Sequence, residues 1–485
     1  MPITVLGGTK VADTTFEVAN SCRFNDDDDA HLHKTPGSAG NRAKWTFSAW
    51  IKCGRVSGAQ QILLNAYSAS TNESRIFISS AQRLGTYNWV SNSADGNYET
   101  SRLLRDPSAW YHVVVSWDSD NATAGDRIKM YINGTEETSF NTESNPSSGS
   151  DSFITSDVKH WVASNPDDQA FDGYMAEVCL CDGQTYAASD FGEYDDDSPS
   201  IWKPKDVSGL TFGTNGFYLD FEDSSNMGND ASGGTDLTEV NFSAGSLPNI
   251  ATDTPSNNFC VLNVLNPSFT GTNSEGNLAH LSSSSAWRAI YGTIPFTTGK
   301  WYAEFKMVAD GSSAGPGVIN IDVSNLDTFR LGETNRGLGQ GENGVAYLSN
   351  AQILDGGNTI KTGQTTWTDG DILGVAIDAT NGFVYWHKNG TYLDGATSGT
   401  TVGVPTSGGS GTGGYPLADL VAANGTYLFG VGGDDAWNVE ANFGGCSAFT
   451  VSSANQDGNG YGNFEYAVPS GYLALCTKNL GSDGG

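Results

Sequence analysis

Positive charge is scarce in this sequence. Its 485 residues hold 24 lysines and arginines against 55 aspartates and glutamates, a formal net charge of −31. A surface so negative repels nucleic-acid phosphates, and no basic cluster reverses the sign locally, which excludes a DNA or RNA partner. Helical periodicity is missing as well: no long stretch repeats apolar residues at i, i+3, i+4 and i+7. No apolar run approaches the length that spans a bilayer, and MPITVLGGTK has neither the charged n-region nor the apolar h-region of a signal peptide. Membrane insertion is therefore not expected, and folding in a reducing cytoplasm is. The 7 cysteines (Cys22, Cys53, Cys179, Cys181, Cys260, Cys446 and Cys476) are odd in number and lack framework spacing. They read as buried free thiols. Cys179 and Cys181 have no second pair and no nearby histidine, which argues against zinc.

What is present is glycine (61 residues) and aromatics (11%), with charged residues at only 16%. That mixture suits short strands joined by many turns, and the length allows two or three domains. The clearest stretch is Trp110 to Gly134, WYHVVVSWDSDNATAGDRIKMYING. Tyr111, Val113, Val115 and Trp117 alternate with His112, Val114 and Ser116, then Ile128, Met130 and Ile132 alternate with Arg127, Lys129 and Tyr131. The pattern predicts two antiparallel strands with one buried and one wet face, and Asn133-Gly134 is a strong hairpin signal. The same grammar recurs at Trp367 to Tyr392, ending in Asn389-Gly390. The fold class expected is all-β: two concanavalin A-like antiparallel β-sandwiches (jelly rolls) in tandem, joined by a Gly/Ser/Asn-rich linker.

Turn signals divide the chain further. Residues 1–18 read as a short polar lead and 19–223 as the first sandwich. The Ser/Asn/Gly/Asp-rich segment 224–258 reads as the linker, 259–451 as the second sandwich and 452–485 as a Gly-rich tail with a final apolar patch at Tyr472 to Cys476. Within the second sandwich, Ser398 to Gly414 is a Gly/Ser/Thr loop expected to be mobile and exposed.

These segments carry a resemblance. CRFNDDDDAHL, WTFSAWIKC, AWYHVVVSWD with RIKMYING, and FDGYMAEVCLCDGQ resemble laminin-G-like, concanavalin A-type jelly rolls. GKWYAEFKM, DGDILGVAIDATNGFVYWHKNG and YLFGVGGDDAWNVEANFGG resemble SPRY domains. The order of the two, with FGTNGFYLDFEDSS and the terminal GYLALCTKNL, is similar to a group of tailed-bacteriophage proteins common among marine phages. The resemblance covers most of residues 20 to 480; the chain departs from the group at its end, where GSDGG replaces a more apolar, Pro-containing finish. It implies a virion surface protein that assembles in the host cytoplasm, with other virion proteins as partners and a homo-oligomeric state within the virion.

Three chemistries compete on the residues themselves. Glycosidases of this fold need two carboxylates alternating on one strand, yet Glu-x-Asp-x-x-Glu is absent. The nearest candidates are Asp220, Glu222 and Asp223, with Asp220 and Glu222 on one face by period 2, and Glu177 with Asp182. They precede a linker or stand alone, so the reading is no enzyme. Calcium is the one cofactor considered: the acidic turn Asp26 to Asp29 offers clustered oxygens, through Asp26 and Asp28, and Asp118 and Asp120 are the partners if a rim site exists. The competing reading is a turn whose aspartates bond their own backbone. Sugar binding needs an exposed aromatic face flanked by hydrogen-bonding side chains, which Tyr87, Trp89, Asn92, Asp95 and Tyr98 in TYNWVSNSADGNY would supply; alternatively, Trp89 fills the core. Trp45 and Trp117 fall with the buried set. In the second sandwich the loops Asp327 to Arg336 and Ser398 to Tyr415 lie where SPRY domains engage partners, and the glycine-rich one lacks the lysine and following helix of a phosphate cradle. Two functions follow: a tail fibre or appendage adhesin that binds host surface glycan or protein without catalysis, or a capsid-decorating or tail-assembly protein whose sandwiches are docking modules.

Overall fold

The computed structural model describes residues 16–482 apart from 57, 168, 197, 243–248, 266–270, 284–286, 310–312, 322–343, 356–357, 396–399 and 418–424. The described chain forms two compact units. One ends at Ser256 and takes in Ser274–Gly276; the other begins at Asn257. Each is built on two mainly antiparallel sheets, so the protein is two β-sandwiches in tandem.

In the N-terminal unit one eight-stranded sheet runs Thr135–Glu136, Ile128–Ile132, Tyr111–Asp118, Lys44–Cys53, Gly173–Asp182, Ser21–Phe24, Ile250–Ala251, with Phe217–Leu219 also on Gly173–Asp182. The other runs Phe140–Ser144, Ser93–Thr100, Leu84–Val90, Asn72–Ile78, Gln61–Ala69, Lys159–Val162, His31–Lys34, Thr238–Val240. Below they are the first and second sheet. Alternation sends Phe47, Val113, Val115, Met130 and Leu180 from the first and Leu64, Ile76, Leu84 and Val162 from the second into one shared core. Trp45 and Trp117 stack inside it, rings 6.0 Å apart and 5° from parallel. Asn133 (φ 49°) and Gly134 (φ 76°) make the tight turn from Ile128–Ile132 into Thr135–Glu136, as left-handed turn residues should.

Three expectations need correction. The far face of Tyr111–Asp118 is not wet: His112 and Val114 are fully buried, because residues 186–218 fold back and lay Ala188, Phe191, Val207, Phe212 and Tyr218 over Val114, Cys179 and Cys181. Residues 224–258 are not a free linker. Thr238–Val240 pairs with His31–Lys34, Ile250–Ala251 pairs with Ser21–Phe24, and Met227 and Leu237 enter the core, so this polar segment closes one edge of each sheet. Asp253 then receives the buried Lys52 ammonium at 2.6 Å and the Trp110 indole N–H at 3.0 Å.

The tail is the third. In the C-terminal unit, the strand Lys300–Ala309 lies between Ile372–Asp378 and Asn438–Asn442, and Leu473–Ala474 adds to it in parallel at Trp301 and Tyr302. Phe464, Tyr472, Ala474 and Cys476 cover the outer face of that sheet beside Tyr302, Ala376 and Tyr385. Residues 452–482 thus belong to the second sandwich. Its other sheet centres on Ser313–Asn320 and Tyr427–Asp434, and Phe305 meets Phe429 and Phe443 between the two layers. All 7 cysteines are buried, and none forms a disulfide.

Candidate functional site

The side of the second sheet that faces away from the core carries a continuous polar and aromatic surface. Cross-strand register places His33, Trp161, Asn65, Arg75, Tyr87 and Asn97 in one row. At about 4.8 Å per strand the row spans roughly 24 Å. Beside it runs a second row, Lys159, Tyr67, Glu73 and Trp89. Period-2 geometry produces both: Ser74, Ile76 and Ile78 point inward, so Glu73, Arg75 and Phe77 must point out.

The floor of this face is a hydrogen-bond network. Arg75 Nε donates to Glu73 Oε2 at 2.8 Å, and its Nη2 lies 2.8 Å from Glu73 Oε1. Its Nη1 donates to Gln169 (2.6 Å) and Gln60 (3.2 Å), and Nη2 to Asp167 (3.2 Å). Glu73 also accepts from the Tyr87 hydroxyl at 2.9 Å and from Asn65 Nδ2 at 3.2 Å. Burial, reinforced by the Glu73 carboxylate, holds the Tyr87 phenol well above its usual range, so it stays a donor. The Oδ1 of Asn65 is buried and accepts no hydrogen bond from the protein. Above the floor stand half-buried rings and heads: Tyr87 and Trp89, with centroids 6.1 Å apart, then Tyr67, His33, Asn97 and Lys159. Trp161 is 9% exposed, with Tyr67 edge-on to it and the Lys159 ammonium 4.7 Å above its ring.

Of the residues expected to bind sugar, the structure brings Tyr87 and Trp89 together on this outer face; Trp89 is not in the core. The other three part from them. Tyr98 is 1% exposed and packs edge-on to Phe140 in the core, because it has the opposite parity to Asn97 and Glu99. Asp95 accepts from Ser147 N and Ser150 Oγ, and these bonds hold its carboxyl below the usual range; it anchors a loop. Asn92 sits exposed in the turn at φ 64°. Reading the sequence missed Asn65, Tyr67, Glu73, Arg75, Lys159 and Trp161. Alternation of charge in NESRIFI could have shown Glu73 and Arg75; bulges at Ile62/Leu64 and Tyr67/Ala69 hide the parity of QILLNAYSA.

The calcium site does not assemble. Lys44, at one end of Lys44–Cys53, pairs with Asp118, while Cys53 at the other end leads through Gly173 to Phe24 and the acidic turn. That strand is 10 residues long, so Asp26 and Asp28 lie roughly 30 Å from Asp118 and Asp120. Each end has its own partners: Asp26 holds Arg55, Asp28 accepts from Asn25, Asp29 from Ser164, and Asp118 faces Lys44 at 3.3 Å. Among the described residues no group of three or more His, Cys, Asp or Glu side chains is arranged to hold a metal ion.

The other carboxylates singled out in the sequence do not form a pair on one strand face. Asp220 and Glu222 do not share a strand face, since the strand ends at Leu219 and Phe221 takes φ 59°. Asp182 accepts from the backbone of Asn41 and Asn215. Glu177 sits at a bulge with φ 51°, buried against the Tyr218 hydroxyl at 2.6 Å, and burial pushes its carboxyl up to about 8. A Ser48–His112 pair (2.8 Å) invites comparison with a nucleophile and base, but His112 Nδ1 accepts from the Trp202 indole at 3.0 Å. Nε2 therefore carries the proton and donates to Ser48, which is the wrong tautomer for a base. In the second unit, Asp327 to Arg336 lies outside the described residues. The described part of Ser398 to Tyr415 is not simply exposed: Pro405, Gly411, Gly413, Gly414 and Tyr415 are buried.

Residues 25–186 match the Laminin_G_3 family of the concanavalin A-like lectin/glucanases superfamily. The N-terminal unit therefore carries a laminin-G-like, concanavalin A-like jelly roll. No curated protein sequence matches the chain. Among solved structures it is similar to the heptameric SAP-like pentraxin of Limulus polyphemus, with 15% identity over 34% of this chain and 77% of that one, at a TM-score of 0.26. It is also similar to the SPRY domain of human HERC1, with 13% identity over 39% of this chain and 94% of that one, at 0.23. A third is domain 4 of the arabinanase AbnA from Geobacillus stearothermophilus, solved with arabinotriose, with 15% identity over 30% and 64% at 0.23.

Proposed function

We propose that the protein is a glycan-binding adhesin on the surface of a tailed-phage virion, acting without catalysis. One observation carries the binding reading: the cross-strand rows in which Tyr67, Tyr87 and Trp89 stand half-buried over the Asn65–Glu73–Arg75 network. Aromatic faces cover the apolar side of a sugar ring, and the polar groups between them meet its hydroxyls. Rows running across the strands suit an extended chain several rings long. The absence of catalysis is supported by the state of Glu73. Both its oxygens are already occupied by Arg75, Tyr87 and Asn65, so it is placed neither to give a proton nor to attack. The virion assignment rests on the resemblance of the domain order and terminal segments to phage proteins.

Purified protein incubated with host-surface polysaccharide should bind it and release no reducing sugar. Release of reducing ends would end the non-catalytic reading. Binding to protein-free capsular material that survives Trp89→Ala unchanged would move the site elsewhere. Cryo-EM of the particle, with the copy number at tail and capsid, tests the location; density confined to a capsid lattice, with no cell binding, would favour the architectural role.

A further inference from the structure

We infer that the occupant of this face is a uronic-acid polysaccharide, whose ring carboxylate is met by Lys159. The inference rests on the glycan-binding reading above and narrows it to one chemical class. The unit is strongly acidic, and its other lysines on the sheets are spent internally: Lys34 on Asp230, Lys44 on Asp118, Lys52 on Asp253, Lys129 on Asp126 and Glu136, Lys203 on Glu193 and Asp195. Arg75 is likewise neutralised by Glu73 and Asp167. Lys159 differs. Among the described residues no carboxylate lies within 4.0 Å of its ammonium, which is held over the Trp161 ring. The ring fixes the position of the charge without cancelling it. This cation sits at the end of the row that continues through Tyr67, Glu73 and Trp89.

The charge pattern also sets the density of charge the face will accept. One ammonium without a carboxylate partner among the described residues matches a chain with one carboxylate at a given position. Arg75 carries one charge against the two carboxylates of Glu73 and Asp167, so the exposed Asp167 beside this face repels a chain that carries several anionic groups per ring, as a heavily sulfated polymer does. Beside Lys159, burial and the neighbouring ammonium lower the pKa of His33, so at neutral pH it offers a neutral imidazole to sugar hydroxyls. A neutral glycan would leave the Lys159 charge unanswered.

The test uses the full chain with alginate, polygalacturonate and hyaluronate, each also as its methyl ester, together with neutral laminarin and heparin. Binding is read by calorimetry or biolayer interferometry. The expected result is that at least one uronate polymer binds and that its methyl ester binds about tenfold or more weakly, the loss of one charge-assisted contact. Lys159→Gln should erase the difference between acid and ester, and Lys159→Arg should keep part of it. Added salt should weaken the wild type more than Lys159→Gln. Equal affinity for acid and ester, binding of laminarin or heparin alone, or binding of no uronate polymer overturns the inference. Trp89→Ala separates the two levels: if a neutral glycan is bound and lost in that variant, the glycan site stands and the uronate assignment fails. If ligand binds and Trp89→Ala leaves it unchanged, the site itself is wrong.

Discussion

Arg75 and Glu73, two residues apart on one strand, hold each other at 2.8 Å on the outward side of a sheet, yet their side chains are only 8% and 6% exposed. Such a pair acts as a unit. Removing Arg75 strands a desolvated carboxylate, so Arg75→Met should cost about 3–5 kcal/mol of stability. Arg75→Met combined with Glu73→Gln should recover much of that loss. Ligand binding should not return in full in the double variant, because the amide left by Glu73→Gln has one acceptor oxygen for the two donors, Tyr87 and Asn65. A double-mutant cycle by chemical denaturation, with affinity measured in parallel, checks both halves.

Trp89 and Tyr98 make a paired contrast, nine positions apart in sequence and on opposite sides of one sheet. Trp89→Ala should weaken glycan binding by about 2 kcal/mol, some thirtyfold, with stability changed by about 0.5 kcal/mol or less. Tyr98→Ala should cost about 3–5 kcal/mol of stability. Thermal unfolding and a binding isotherm on each variant distinguish the outer face from the core.

The parity of those two residues shows where the sequence was legible. A long regular strand such as Tyr111–Asp118 declares its core face by alternation, though not that its other face is covered, and Asn133-Gly134 and Asn389-Gly390 declare their turns. What stayed hidden was set by pairing at a distance. Bulges shift parity in Gln61–Ala69, so Asn65 and Tyr67 could not be assigned a side. Polar segments such as Thr238–Val240 look like linker until an open sheet edge gives their backbone partners. The acidic turn and Asp118 looked like neighbours because both lie at strand ends; only register shows that they are opposite ends.

That register rules out a calcium ion shared by the acidic turn and Asp118. Unfolding temperature and glycan affinity should be the same in EDTA and in millimolar calcium. Asp26→Asn should lower stability equally in both conditions, by roughly 1 kcal/mol, because it breaks the contact with Arg55 and no metal site. A calcium-dependent upward shift in melting, abolished by Asp26→Asn, would contradict the register argument.

Stability should fall as pH rises above neutrality. Burial pushes Glu177 and Asp172 up to about 8 and Glu304 up to about 7. Between the ordinary carboxyl range and those values, the folded state keeps protons that the unfolded chain has released. Each group's contribution is therefore complete in acid and is lost as pH climbs to its folded value, at up to about 1.4 kcal/mol per pH unit. Four buried histidines act in the opposite direction below pH 6.5: burial lowers His112 and His387 to about 3 and His160 and His280 to about 4, so the unfolded chain takes up protons first. The two trends place the maximum near pH 6.5. Denaturation midpoints from pH 6.5 to 8.5 should decline, and Glu177→Gln should flatten the decline.

Glu304 explains why the tail cannot be spared. Its two oxygens accept the backbone N–H groups of Tyr466 and Glu465, each at 2.8 Å, along with the Tyr302 hydroxyl at 2.9 Å, and Tyr302 in turn meets His387 Nε2 at 2.7 Å. Gly374 makes room for that histidine, since a Cβ there would lie 1.8 Å from its Nε2. Truncation after Val451 removes the two N–H donors and uncovers Tyr302, against which Phe464 packs edge-on at 5.0 Å. Phe464→Ala alone should cost about 3–5 kcal/mol, and the truncation more, because it also leaves a buried carboxyl without its main-chain donors. Gly374→Ala should be disruptive with the tail intact, because His387 has no room to retreat. Calorimetry of the three variants should show the transition of the C-terminal unit moving to lower temperature. A truncated protein that melts like the full chain would mean that residues 452–482 contribute nothing to the second sandwich.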